Sequence, residues 1–413
     1  MRILLATFGS YGDLHPYMAI GMELLRRGHR VTVASSAVYA EKVRSEGLEF
    51  LALRPDVSAI DGERLAQMMD ARRGTERVIR FVAEAAREGY EDTLPAAQRA
   101  DVVVTHPLVF GSVVAAQQAG VPWVSSVLAP ASMSSAFDPV VLPAAPWLVR
   151  LQRLGPGVAR AVTRMGKRHS SLWVRPVERL RQELGMAAGA HPLFEGQHSP
   201  RLVLALFSRC LGPPQADWPR GAVVTGFPFY DRHHEQEGMP AEVERFLAEG
   251  PAPLVFSLGT AAVGAAGDFY TESLEVARRL GMRAVYLTGN HGQGLPADAM
   301  AVEYAPHSEL FPRAAAVVFH GGIGTAAQAM RCGRPMLVTP LSHDQFDNAD
   351  RLKRLGMAEV LYRSRYHARS AEPLLRGLLG DARYRQKGAG IAAQVQAEDG
   401  VKTAADAILR AAE

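Results

Sequence analysis

The residues best placed to do chemistry lie at Phe319–Met330, where FHGGIGTAAQAM follows the apolar run AAAVVF. A strand running into His320-Gly321-Gly322-Ile323-Gly324-Thr325 and then a helix brings backbone close to a ligand, because glycine adds no side-chain bulk. The first N–H groups of such a helix and the positive end of its dipole favour a diphosphate. His320 can add a hydrogen bond or a positive charge, and Thr325 a hydroxyl. A tight turn with glycines kept for packing is the other reading, and both stay open. The segment matches neither the Gly-Lys-Ser/Thr phosphate loop nor G-x-G-x-x-G, which speaks against an NTPase and a dinucleotide oxidoreductase. About twenty residues on, TPLSHDQFDNADRL puts Asp344 and Gln345 just past a strand. An adjacent carboxylate and amide suit vicinal hydroxyls of a sugar, and Asp344 can equally cap the helix that starts there.

A second group lies near the N-terminus. In Phe8-Gly9-Ser10-Tyr11-Gly12-Asp13-Leu14-His15-Pro16, Asp13 falls at the top of the first strand. A carboxylate there can take a proton from a hydroxyl, or cap a helix expected to begin near Pro16. His15 reads as structural or as a contact to the acceptor. His106 ends DVVVTH at the same edge of the same sheet. A His–Asp pair would orient and tune the base, although a single histidine at a strand end also serves structure.

The elements that position these residues are short apolar runs alternating with helical patterns, the order of a doubly wound parallel sheet. Ile3–Thr7, Arg30–Ser35, Glu49–Leu53, Val102–Thr105 and Trp123–Val127 read as strands, with helices at Pro16–Arg27 and Phe110–Ala119. The rhythm breaks over 140–185, an apolar helical insertion, and the stretch GFPFYDRHHEQEGMP reads as a linker. It restarts with strands at Pro253–Leu258, Ala284–Thr288, Ala299–Glu303, Ala315–Phe319 and Pro335–Val338. The expected division is an N-terminal acceptor-binding domain (1–228), a linker (229–239), a nucleotide-sugar-binding domain (240–395) and a C-terminal helix (396–413) packing back on the first domain. Two such halves imply a shared crevice at the carboxyl ends of their strands.

Composition fits this picture. Apolar residues make up 48% and charged residues 21%, the balance of an ordinary globular chain. The two cysteines, Cys210 and Cys332, match no metal spacing and suit a reducing cytoplasm. A net charge of +4 is compatible with phosphate ligands but too weak and dispersed for nucleic acid. No uninterrupted apolar run of about 18 residues predicts a membrane span, and the N-terminal apolar run reads as a strand rather than a leader.

The pattern resembles glycosyltransferase family 1, with its GT-B fold of two Rossmann-like domains. YAPHSELF, HGGIGT and PLSHDQFDNADRL are similar to that family's donor-binding signature; DWP, TGFPFYD and LVFSLGT are closest to bacterial rhamnolipid-type rhamnosyltransferases, and the G-S-x-G-D loop is similar to antibiotic glycosyltransferases. The resemblance implies that Tyr304 stacks on the donor base, that His307 contacts the nucleoside and that Thr260 sits near the phosphates. It also implies that His320, Gly322, Gly324 and Thr325 hold the diphosphate, and that Asp344 and Gln345 hold the sugar. Asp13 falls where bacterial relatives keep their base. Plant relatives have His there and Asp after the fourth strand, so this chain exchanges the order. The family's ribose-binding Glu is here Gln328, which favours a deoxyribose donor such as a dTDP-sugar over a UDP-sugar.

The expected activity is inverting hexosyl transfer from a UDP- or dTDP-hexose to a small hydrophobic acceptor. No cofactor is expected beyond the nucleotide-sugar co-substrate, and no metal, since no D-x-D cluster accompanies the donor motif. A nucleotide-sugar epimerase of the same fold is disfavoured by the apolar insertion, and a non-catalytic partner protein by the presence of Asp13, His320 and Asp344. The insertion offers Trp147, Met165 and Trp173 to an acceptor or to helix packing. Between Arg150 and Arg181 nine basic residues stand against Glu178 alone, which suits a solvated helix face, a carboxylate on the acceptor or peripheral contact with an anionic membrane.

Overall fold

The computed structural model describes the chain apart from residues 231–237, 260–265 and 289–294. It divides into two compact units: Met1–Met68 with Arg72–Tyr230 and Glu398–Glu413, and Met69–Ala71 with Asp231–Ala397.

The first unit is built on seven strands: β1 (Arg2–Ala6), β2 (Arg30–Ser35), β3 (Glu49–Ala52), β4 (Val102–Thr105), β5 (Trp123–Val127), β6 (Val203–Ala205) and β7 (Ala222–Val224). All pair in parallel, in the order β3-β2-β1-β4-β5-β6-β7. The apolar runs are what such a sheet needs, because helices cover both faces. Every residue of β4 and β5 is buried, and burying each Val or Leu contributes about 1.5–3 kcal/mol.

The second unit repeats the plan with β8 (Leu254–Ser257), β9 (Ala284–Leu287), β10 (Ala299–Val302), β11 (Ala316–Phe319), β12 (Met336–Val338) and β13 (Ala358–Val360). Its order is β10-β9-β8-β11-β12-β13, again all parallel. In both sheets the strand order reverses beside the first strand, between β1 and β4 and between β8 and β11. Ligands of open α/β sheets bind outside the carboxyl ends at that reversal. Asp13 and His106 follow β1 and β4, while Gly259 and His320 follow β8 and β11.

Some boundaries differ from those expected of the sequence. The first helix runs Tyr11–Arg26 and contains Pro16, rather than starting there. Ser10 caps it: its side chain accepts from Gly12 N–H, and the Asp13 carboxylate reaches back to the Ser10 N–H. That reciprocal box satisfies two orphan donors and starts the helix upstream of the proline. Three helices over Gly62–Met68, Gly74–Glu84 and Ala86–Ala97 are additions to the expected elements, as is the short edge strand β13. The last helix, Gly400–Ala412, belongs to the first unit, where Asp406 accepts a hydrogen bond from Arg27 just past the first helix. Among the described residues no helix is long and apolar enough to cross a membrane.

Candidate active site

In the first unit, the Asp13 carboxylate is fixed by its own helix start. Asp13 Oδ2 accepts from the Ser10 N–H at 2.7 Å and from the Ser10 hydroxyl at 3.2 Å. These donors and the helix N-terminus stabilise a carboxylate. The fold-back requires a glycine: Gly9 has φ +136, and a Cβ there would lie 2.2 Å from Asp13 Oδ2. On the other side, His106 Nε2 stands 3.6 Å from Asp13 Oδ1. His106 is tied to β1 through its backbone N–H, which donates to the Ala6 carbonyl at 2.9 Å.

The tautomer of His106 follows from its partners. Nδ1 accepts from the Leu108 N–H at 3.2 Å, so the ring proton of the neutral form sits on Nε2, facing Asp13. Burial pushes the His106 pKa down to about 3, so the ring is neutral at ordinary pH. The structure therefore brings Asp13 and His106 together as a carboxylate beside a neutral imidazole. His15 packs elsewhere in the same unit, stacked on Tyr11 at 5.3 Å and against Tyr230 at 4.8 Å. Lys42 lies over the Tyr11 and Tyr230 rings at 5.6 and 5.1 Å.

In the second unit, three loops gather at the carboxyl edge of β8, β11 and β12. His320 is the centre of them. Its ring lies where a Cβ on Gly259 would come within 2.7 Å of it and a Cβ on Gly322 within 2.5 Å. Both positions must be glycine for the ring to sit there. Burial, together with the neighbouring His307, lowers the His320 pKa to about 4. Of the two readings, a hydrogen bond or a positive charge, the neutral imidazole fits the hydrogen bond. Its Nδ1 is buried and has no partner among the described residues. Gly322 is the N-cap of the helix Ile323–Arg331 and provides no side-chain cap, which leaves the first-turn N–H groups unsatisfied by it. Gly324 is exposed in that turn, and a Cβ there would meet nothing within 4 Å. Thr325 and Gln328 are buried in the same helix, and the side-chain oxygen of Gln328 has no partner among the described residues.

Asp344 stands at the N-cap of the helix Gln345–Arg354, but its side chain does not cap it. Oδ2 instead accepts from Asn348 Nδ2 at 2.9 Å, and the same Nδ2 donates to the Gly321 carbonyl at 3.0 Å. Asn348 is fully buried and fastens the glycine turn to the Asp344 carboxylate. It is absent from the site residues expected of the sequence; the available signal is its place four residues after Asp344, on the same helix face. Burial raises the Asp344 pKa to about 6, opposed by the Asn348 hydrogen bond and assisted by Asp347. The side-chain carbonyl of Gln345 is committed to the loop, accepting from the Leu341 N–H at 2.9 Å and the Ser342 N–H at 3.1 Å. The amide nitrogen is the part of Gln345 that remains to donate to a hydroxyl.

Of the other expected residues, Tyr304 follows β10 and is half-buried, and His307 opens a short helix with its ring stacked on Phe311 at 4.5 Å. Thr260 and most of the 229–239 linker lie outside the described residues. Trp173 packs against the core of the first unit, whereas Trp147 is 62% exposed and Met165 70%. Among the described residues no three His, Cys, Asp or Glu side chains group as metal ligands.

Residues 3–137 match the glycosyltransferase family 28 N-terminal domain, and residues 286–407 match the erythromycin biosynthesis protein CIII-like, C-terminal domain. The chain is 32% identical over 368 residues to the O-mycaminosyltylonolide 6-deoxyallosyltransferase of Streptomyces fradiae, covering 87% of this chain and 85% of that protein. It is 25% identical over 440 residues to a sterol 3-beta-glucosyltransferase of Neurospora crassa; that match covers 99% of this chain but 27% of the relative, so the chain spans about a quarter of that protein's length. Its fold is shared with the glycosyltransferase VinC in complex with DTDP, at a TM-score of 0.69 and 19% identity, covering 100% of this chain and 99% of that one. With two Rossmann-like sheets, family matches in both halves and a third of its residues shared along most of a deoxysugar transferase, this chain belongs to the GT-B glycosyltransferases, related to the antibiotic and sterol glycosyltransferases.

Proposed function

We propose that the chain transfers a hexose of the deoxysugar class from a dTDP-sugar, with inversion and without a metal, to a hydroxyl of a small hydrophobic natural product or sterol. The observation that carries this reading is His320, a buried neutral imidazole with an unpartnered nitrogen among the described residues, lodged between two obligatory glycines beside an uncapped helix start. A diphosphate supplies what those donors lack. The Streptomyces fradiae relative is named as a 6-deoxyallosyltransferase and VinC was captured with DTDP, which supports the donor class. An amide at Gln328, in place of a carboxylate, suits a sugar ring with one fewer hydroxyl.

In this mechanism Asp13 Oδ1 accepts the proton of the acceptor hydroxyl as its oxygen bonds to the anomeric carbon. The bond from that carbon to the diphosphate oxygen breaks, and its electron pair leaves with dTDP. The transition state is oxocarbenium-like. The N–H groups of the first turn and the His320 ring stabilise the charge that develops on the leaving group. His106 keeps its Nε2–H toward Asp13, holding the carboxylate in position, and the proton on Asp13 then passes to solvent.

The experiment is a thermal-shift series with dTDP, UDP and dTDP-hexose at several pH values. Ligands that bind only the folded state raise its stability with the logarithm of ligand over Kd. dTDP is expected to stabilise the chain more than UDP, and dTDP-hexose more than dTDP. The sugar increment depends on ionised Asp344 accepting hydroxyls. Because its pKa is raised to about 6, the carboxylate is mostly ionised at pH 7, and it is protonated roughly nine parts in ten one unit below its pKa. The increment in affinity is therefore expected to fall by about tenfold on acidification from pH 7 to pH 5, and to be pH-independent in Asp344→Asn. No shift with any nucleoside diphosphate would contradict the donor assignment; an unchanged increment at pH 5 would remove Asp344 from the sugar site.

A further inference from the structure

The first unit exposes its large apolar side chains unevenly. Of the twelve that are exposed among the described residues, eight fall between Phe137 and Leu172. Leu154, Met165, Trp147 and Leu172 are 76%, 70%, 62% and 57% exposed. They ride on a short helix, Leu148–Gln152, a longer one, Pro156–Ser170, and the turns that flank them. In the longer helix Arg160, Arg164 and Arg168 recur at four-residue spacing, which puts them in one stripe. Val158 and Met165, seven residues apart, form an adjoining stripe, while Ala159 and Ser170 are buried on the opposite side. The basic and apolar groups are physically joined: the Arg160 guanidinium lies over the Phe137 ring at 5.6 Å. Arg160, Arg164 and Arg168 have no ion-pair partner among the described residues, unlike Lys167, which pairs with Glu195.

From this face we propose that the first unit docks on the surface of an anionic lipid bilayer, with the arginines at the phosphates and the apolar side chains at the headgroup–acyl boundary. Charge decides between this and a protein partner. Nine basic residues between Arg150 and Arg181 stand against Glu178 alone, a one-sided charge that suits a continuous anionic surface, and the arginine stripe runs directly beside the exposed Val158 and Met165. A plane of lipid offers both environments at once, anionic above and apolar beneath, and arginine can reach the first while its stem lies in the second. The exposed Trp147 matches the preference of that ring for the membrane–water interface. The inference does not rest on the donor assignment or on Asp13 as base, since it is argued from residues between Phe137 and Leu172, none of which those assignments name.

The test is co-sedimentation of the full chain with phosphatidylcholine vesicles and with vesicles of which about one third is phosphatidylglycerol, in the absence of nucleotide. Binding is expected to the anionic vesicles, weakening as salt is added. Arg160→Gln/Arg164→Gln/Arg168→Gln, a change at exposed positions, is expected to weaken partitioning about fivefold per arginine and about a hundredfold together. Leu154→Glu is expected to weaken it independently by removing an apolar anchor. Thermal unfolding of each variant should match the parent. Equal affinity for neutral and anionic vesicles, or full binding by the triple variant, would overturn the proposal. So would concentration-dependent self-association without vesicles that Leu154→Glu abolishes, which makes the face a contact between copies. A raised KM for a water-soluble acceptor in the triple variant, with vesicle binding intact, would assign the face to the acceptor instead.

Discussion

Asp13→Asn is expected to slow glycosyl transfer by about 10²–10⁴-fold, the range for loss of a positioned general base, while leaving dTDP affinity within about twofold of the parent. The substitution is chosen for its shape. An asparagine oxygen can still accept from the Ser10 N–H that Asp13 Oδ2 holds at 2.7 Å, so the capping box and the start of the first helix persist. The atom able to bind a proton is lost. His106 cannot replace it: its Nδ1 is engaged by Leu108 N–H, and burial holds its pKa down at about 3. Such a weak base, with its proton on the nitrogen facing Asp13, orients rather than abstracts. Steady-state transfer and dTDP titration on the same preparation check the split. Turnover at the parental rate would remove Asp13 from the mechanism, and a parallel loss of dTDP binding would make the residue structural.

Arg351→Ala is expected to lower stability by about 3–5 kcal/mol, as for breaking a buried ion pair. Arg351 Nε donates to Asp347 Oδ2 at 2.6 Å, with both side chains almost wholly buried, at 2% and 1% exposure. The pair lies one turn apart on the helix Gln345–Arg354, which also carries Gln345 and Asn348. Removing the guanidinium strips Asp347 of the cation beside it in a site where water cannot compensate. Arg351→Leu/Asp347→Leu is expected to recover much of the loss, because a well-packed apolar pair costs less than a single stranded charge. Denaturant midpoints of the single and double variants measure the difference. A loss below about 1 kcal/mol in Arg351→Ala would show that the pair contributes no more than a surface bridge.

Much of the candidate site is legible in the sequence because it sits where local pattern and topology coincide. An apolar run ending in His-Gly-Gly, and another leading to His-Asp-Gln, place polar groups just beyond parallel strands, and parallel strands present all such ends at one edge. The pairing of Asp13 with His106 follows from the same logic: β1 and β4 are neighbours at the reversal of strand order. Three things are hidden. Asn348 matters because tertiary packing brings the Gly321 carbonyl to it, and no spacing in the sequence reveals that hydrogen bond. The neutrality of His320 comes from burial among residues far apart in the chain. The start of the first helix is easily misplaced because Pro16 is a common early-helix residue type, while a capping box closed by aspartate rather than Glu or Gln is a weaker signal. For Gln345 the sequence hides how the side chain is divided: its carbonyl braces the loop at Leu341 and Ser342, which leaves the amide nitrogen to face a ligand.

The turn from His320 to Thr325 is proposed to hold the diphosphate of the donor, and a crystal structure of the chain with dTDP addresses this directly. The phosphate oxygens are expected within about 2.7–3.2 Å of the first-turn N–H groups of the helix Ile323–Arg331 and of a ring nitrogen of His320. A diphosphate bound at any other edge of the sheet, or at this turn with His320 making no contact to it, would contradict the assignment.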